Sequence, residues 1–161
     1  VGFEPELIDA KARAGERRVL VFATEATLRQ PRYIRARDRL CPDAVSIPAP
    51  ELVLMVERGV LSGEEPERFF RGKLAPYPEG EIGAIVLGCT HFPFLKRAIR
   101  SVAPSVPLFD GNARLIRTLS TALAERGLLA GRAEGSHALM TSSDDPAVLA
   151  RMRMLMEVDV G

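Results

Sequence analysis

The chain has no tryptophan and only two cysteines and two histidines among its 161 residues, and each shortage closes off a class of function. Cys41 and Cys89 are too far apart in sequence to suggest a disulfide framework, and two histidines offer no zinc-ligand spacing. No metal site is therefore expected. The formal net charge is only +1, which gives no electrostatic reason to expect nucleic acid as a principal partner. Arginines cluster at Arg32, Arg35, Arg37 and Arg39, but without an interleaved aromatic platform they read as a solvated helix face. Apolar runs are short: none approaches the roughly 20 residues that cross a bilayer, and no signal peptide is visible. A cytoplasmic location is the default expectation. Internal repeats and low-complexity tracts are also lacking.

What is present is the composition of a compact unit. Hydrophobic residues make up 47% and charged residues 27%, so wholesale disorder is not expected and the length suits one ordinary domain. Candidate strands alternate with candidate helices, which is the pattern of an α/β fold with a mainly parallel sheet covered by helices on both faces. Residues 18–24 read as a strand, 27–40 as one helix with Pro31 near its start, and 45–48 as a short strand. Helices are expected over 51–60 and 66–74, then a strand at 84–87 followed by a helix, and a strand at 106–109. Asn112 to Arg126 reads as an amphipathic helix with Leu115, Leu119, Ala122 and Leu123 on one face and Gly127 placed to end it. A loop at 131–135, a strand at 137–141 and a terminal helix at 145–157, capped by Asp144 or Asp145, complete the reading.

The richest stretch is Leu87-Gly88-Cys89-Thr90-His91-Phe92-Pro93, a thiol, a hydroxyl and an imidazole on consecutive residues where a buried strand turns into a helix. Ala84 to Leu87 is uncharged and apolar, as in a strand covered on both faces. Pro93 suits a first helical position and Thr90 or His91 a cap. Cys89 is then expected at the positive end of a helix, where amides and the macrodipole favour a thiolate, with His91 able to donate or accept protons beside it. The competing reading is a buried, inert cysteine, and the carboxyl end of a strand, where open α/β sheets bind ligands, favours the reactive one. Cys41, in Arg39-Leu40-Cys41-Pro42-Asp43, reads as a structural cysteine at a helix end. Thr24 and Thr27 either hold a substrate carboxylate or amino group, or Thr27 is simply an N-cap. Glu57 either orients His91 or stands on an exposed helix face. His137 reads as structural.

Leu87 to Leu95 resembles the second cysteine motif of the glutamate racemases, members of the aspartate/glutamate racemase superfamily, which work without a cofactor. Other segments fall in the order that resemblance gives. Val1-Gly2-Phe3-Glu4-Pro5 resembles the lead into the second lobe, and Val21 to Thr27 the strand with two threonines, with Ala26 where glycine is usual. Glu51 to Glu57 resembles the helix whose final glutamate lies near the active-site histidine, and Val106 to Gly111 the strand that carries the chain back to the first lobe. The resemblance implies a three-layer α/β/α second lobe at residues 6–108, with 109–161 belonging to the first lobe. It also implies Cys89 and His91 as catalytic residues and Thr90, Thr24, Thr27 and Glu57 as substrate-binding ones.

Family members carry a further N-terminal half with a first catalytic cysteine in a Cys-Asn-Thr run, which these residues do not contain. The chain opens at Val1 rather than at a methionine, so the expectation is a piece of the family's enzyme. The tail should then dock in a non-family arrangement, pair with a second copy, or complete a lobe whose other strands lie on a separate chain. Three functions follow from the resemblance and the residues together. One is glutamate racemisation for peptidoglycan supply, which His91 favours because aspartate-type relatives usually have glutamate there. Another is a related single-cysteine reaction, by an aspartate or hydantoin racemase or a decarboxylase. The third is a non-catalytic lobe that binds a carboxylate or a partner protein.

Overall fold

The computed structural model describes residues 4–78, 80–131 and 135–160; the expected lead-in Val1-Gly2-Phe3 and most of the expected loop at 131–135 lie outside them. The chain forms two compact units, one running up to Asp110 and including residues 159 and 160, the other spanning 111–158.

The first unit is built on a four-stranded sheet. In chain order it holds α1 (Glu4–Ala14), β1 (Arg18–Ala23), α2 (Glu25–Leu28), α3 (Pro31–Leu40), β2 (Val45–Pro48), α4 (Pro50–Glu57), α5 (Glu64–Leu74), β3 (Ile82–Leu87), a 3-10 turn (Phe92–Leu95), α6 (Lys96–Val102) and β4 (Leu108–Phe109). The strand order is β2-β1-β3-β4 and every pairing is parallel. β1 and β3 are buried along almost their whole length, as a sheet covered on both faces requires. Alternation sends Val19, Val21, Ala84 and Val86 into a core shared with Leu7, Ala10 and Ala14 of α1 and with Tyr33 and Ala36 of α3. Phe22, on the opposite face, meets Phe70 of α5 edge to face with ring centroids 5.6 Å apart, and α5 packs in turn against α6. The result is the expected three-layer α/β/α arrangement. Tyr33 also ties α3 to β2 through a 2.6 Å hydrogen bond between its hydroxyl and that of Ser46, and burial pushes the Tyr33 phenol above its ordinary pKa.

Several local expectations are corrected. The single helix over 27–40 is two, because Pro31 pushes the preceding residue out of the helical region: Gln30 sits at φ −68, ψ 131. The strand at 106–109 pairs only from Leu108, since Pro107 lacks an N–H and joins the ladder through its carbonyl alone, which accepts from Ile85 N at 2.9 Å. α1 was not assigned from the sequence, because its buried stripe is made largely of alanines.

The second unit contains α7 (Asn112–Glu125) and α8 (Pro146–Met156). Gly127, at φ +63, ends α7 in a Schellman motif: Gly127 N donates to Ala124 O at 3.0 Å and Leu128 N to Leu123 O at 2.9 Å. Asp145 caps α8, its carboxylate accepting from Ala147 N at 2.9 Å. The expected apolar face of α7 is present but open, with Leu115 47% and Leu119 55% exposed. Residues 137–141 form no strand, for no sheet edge pairs with them among the described residues, and an extended segment without a ladder partner leaves its amides to water.

Close contact between α1 and β3 depends on Gly83. A Cβ there would lie 2.6 Å from Ala14 Cβ and 2.7 Å from Ala14 Cα, closer than real atoms approach. Gly83→Ala should cost about 1–3 kcal/mol of stability in denaturant unfolding, the usual range for overpacking a tight core; an unchanged midpoint would contradict this packing.

Candidate active site

Parallel pairing decides which loops meet. β1 and β3 run in register from Val19 opposite Ala84 to Phe22 opposite Leu87, and Gly88 N extends the ladder with a 2.7 Å bond to Phe22 O. The segments after Ala23 and after Gly88 therefore emerge side by side at the carboxyl edge of the sheet, where open α/β folds place their ligands.

Beyond β3 the chain turns at once, with Phe92 N donating to Cys89 O at 3.1 Å. Phe92, Pro93 and Leu95 are buried and pin the turn, while Cys89, Thr90 and His91 remain at least partly accessible. Cys89 does not meet the full α-helical terminus that was expected. A four-residue 3-10 turn intervenes and α6 begins only at Lys96, so the local donors are the amides of a short turn rather than the end of a long macrodipole. Neither Thr90 nor His91 caps the turn through its side chain: His91 occupies the cap position and makes no such bond.

The imidazole instead bridges two elements. His91 Nε2 lies 2.9 Å from Glu57 Oε1, the carboxylate of the last residue of α4, which packs against the 3-10 turn. His91 Nδ1 is 3.9 Å from Cys89 Sγ and 3.5 Å from Thr90 Oγ1. An imidazole that donates Nε2–H to the Glu57 carboxylate and carries no second proton would present its Nδ1 lone pair toward the thiol. That tautomer suits proton exchange with sulfur. Glu57 thus stands where a carboxylate could orient the ring, and with its side chain 48% exposed and that of His91 31% the contact adds little stability.

Thr24 and Thr27 form their own pair at the same edge. Thr24 is the N-cap of α2, its hydroxyl accepting from Thr27 N at 3.3 Å, and the two hydroxyls are 3.1 Å apart. The capping role considered for Thr27 therefore belongs to Thr24, and Thr27 sits inside the first turn. Cys41 is 1% exposed at the C-terminal end of α3. Burial pushes its thiol above the ordinary cysteine range, outweighing the opposing pull of the nearby Lys11 ammonium. His137 is exposed in the second unit and belongs to no helix or strand.

Sequence reasoning gave no role to Lys96 or Asp110, which form an ion pair 2.6 Å long with side chains only 13% and 10% exposed; one residue opens α6 and the other follows β4. Only their depth marks them, and depth is not visible in sequence. Among the described residues no group of three or more His, Cys, Asp or Glu side chains is arranged to hold a metal ion, and no helix is long and apolar enough to cross a membrane.

The two thiols should separate cleanly in a labelling experiment. Native protein treated with iodoacetamide near neutral pH should alkylate at Cys89 well before Cys41, as read by peptide mass spectrometry, because the thiolate fraction and access both fall on burial. Equal rates would contradict the burial described here.

Residues 4–119 match the family model described as Asp/Glu/Hydantoin racemase. A glutamate racemase from Clostridium perfringens is 36% identical across 98% of this chain and 62% of its own length, and one from Herpetosiphon aurantiacus 35% identical across 99% and 64%. The chain thus spans a little over three-fifths of the curated relatives it matches. Among solved structures, the glutamate racemase of Francisella tularensis in complex with D-glutamate superposes with a TM-score of 0.74 at 25% identity, over 95% of this chain and 59% of that one. The Thermus thermophilus enzyme in complex with beta-chloro-D-alanine gives 0.73 at 31%, over 94% and 58%. From the family match over most of its length, the α/β sheet it shares with these structures and the Cys-Thr-His turn at the sheet's edge, the chain is a member of the Asp/Glu/Hydantoin racemase family.

Proposed function

We propose that this chain supplies one half of the proton-transfer machinery of a cofactor-independent amino-acid racemase that interconverts L- and D-glutamate, D-glutamate being destined for peptidoglycan in the cytoplasm. The observation that carries the reading is the Glu57, His91 and Cys89 alignment, 2.9 Å and 3.9 Å from link to link, at the carboxyl edge of a parallel sheet. The glutamate racemases among its relatives support the choice of reaction, and the D-glutamate complex of the Francisella enzyme supports the choice of substrate.

Inversion removes the α-proton from one face and returns a proton to the other, and one base does not reach both. In this reading the Cys89 thiolate takes the α-proton, the electron pair of the C–H bond passes into the carboxylate as an enolate-like carbanion, and an acid on the opposite face delivers a proton to that carbon. In the reverse direction protonated Cys89 is the acid. His91 holds or moves the proton at Sγ, and Glu57 positions His91 through Nε2. The hydroxyls of Thr24, Thr27 and Thr90, with the amides of the turn, hold the substrate's charged groups. Residues 6–108 serve as the second lobe and 109–161 as part of the first, completed by further polypeptide or a second copy that brings the opposing thiol. Cys41 is not that thiol, being sealed at 1% exposure.

In deuterium oxide, the one glutamate enantiomer whose α-proton faces Cys89 should acquire α-deuterium when incubated with these residues, while the other enantiomer exchanges far more slowly and inversion stays at or near background. Cys89→Ala should abolish the exchange and Cys41→Ala should leave it intact. His91→Gln should slow it by roughly 10²–10⁴-fold, the usual share of a positioned acid or base. Rapid inversion by this chain alone would overturn the two-face division of labour, and exchange that survives Cys89→Ala would overturn the role of Cys89.

A further inference from the structure

The Lys96 ammonium reaches two places remote in sequence. It pairs with Asp110 Oδ2 at 2.6 Å and donates to the carbonyl of Val160. These residues flank the second compact unit: the chain leaves the first unit after Asp110 and rejoins it at Asp159. Lysine and aspartate are rarely buried this deeply unless paired. The ammonium has three donors and serves a carboxylate and a carbonyl at once, which neither a methionine nor a leucine in its place would do. Directly past Asp110 stands Gly111 at φ +30, a left-handed joint that glycine adopts without the penalty other residues meet. Lys96 also continues the same helical run as the turn carrying His91.

We propose that Lys96 is a clasp within the sheet unit: one ammonium that holds Asp110, where the chain leaves that unit, and Val160, where it has returned, so that opening at one of these junctions loosens the other. The clasp is a positioning device and does not depend on the reaction proposed above. It makes the departing and returning segments a single cooperative element, although some fifty residues separate them.

The test reads the two junctions independently on the whole chain. Hydrogen exchange follows amides 108–113, and timed carboxypeptidase digestion follows the release of the C-terminal residues. Lys96→Met should raise both rates roughly tenfold or more, as expected when a local element loses its anchor, with protection in β1 and β3 unchanged and Lys96→Arg restoring most of the difference. Asp110→Asn, a milder change should Lys96→Met fail to fold, should likewise speed release at the C terminus although it alters only the other junction. A rise at one junction alone, or at neither, refutes the clasp. A loss of protection that spreads through β1 and β3 refutes it too, because Lys96 would then be a general contributor to core stability.

Discussion

The parallel ladder between β1 and β3 is the constraint on which the rest of the molecule depends. Both strands are apolar and lose nearly all contact with water, so their amides and carbonyls must pair with one another or remain unsatisfied in hydrocarbon. Only one register sends Val19, Val21, Ala84 and Val86 to the α1 and α3 side while Phe22 meets Phe70 on the other. A slip of one residue would exchange every side chain between the two faces. The same register fixes where the two strands end, and with it which loops become neighbours.

From that edge outward, packing and polarity divide the work. The turn after β3 is pinned by the buried Phe92, Pro93 and Leu95, apolar groups that hold it by packing alone. Polar side chains then face outward from a rigid base: Cys89 and Thr90 precede the turn, His91 stands at its cap position, and Glu57 arrives from α4. Because the Glu57 and His91 contact is partly solvated, its stabilising effect is small, and what it leaves in place is a ring with Nε2 at the carboxylate and Nδ1 on the side of the sulfur. Cys41 shows the opposite environment. It has the same side chain with almost no exposure, and burial pushes its thiol above the ordinary cysteine range.

The second unit differs in kind. α7 is properly stopped by Gly127 and α8 properly started by Asp145, so local signals are satisfied at those helix ends. Yet Leu115, Ile116 and Leu119 remain open, at 47%, 64% and 55% exposure. Local propensity and capping make a helix, but burial of its apolar stripe needs a further surface. The curated relatives extend well beyond the share that this chain matches.

The sequence by itself settled those features that arise from neighbours along the chain. Uncharged strands, the glycine stop after α7, the aspartate cap of α8 and the thiol and imidazole at a strand end were all legible, because caps, breakers and buried strands are written in a few adjacent residues. The Cys-Thr-His motif was legible for the same reason. Reading failed where two local signals competed, as at Gln30, whose backbone yielded to Pro31 and split a periodic helix in two. It failed again at 137–141, which was read as a strand but meets no sheet edge among the described residues. Only the tertiary structure decided that Glu57 meets His91, that Cys41 is sealed, and that Lys96 pairs with Asp110. Those outcomes depend on distances between segments far apart in sequence, and such distances exist only once the sheet has fixed its register and the helices have closed over both faces.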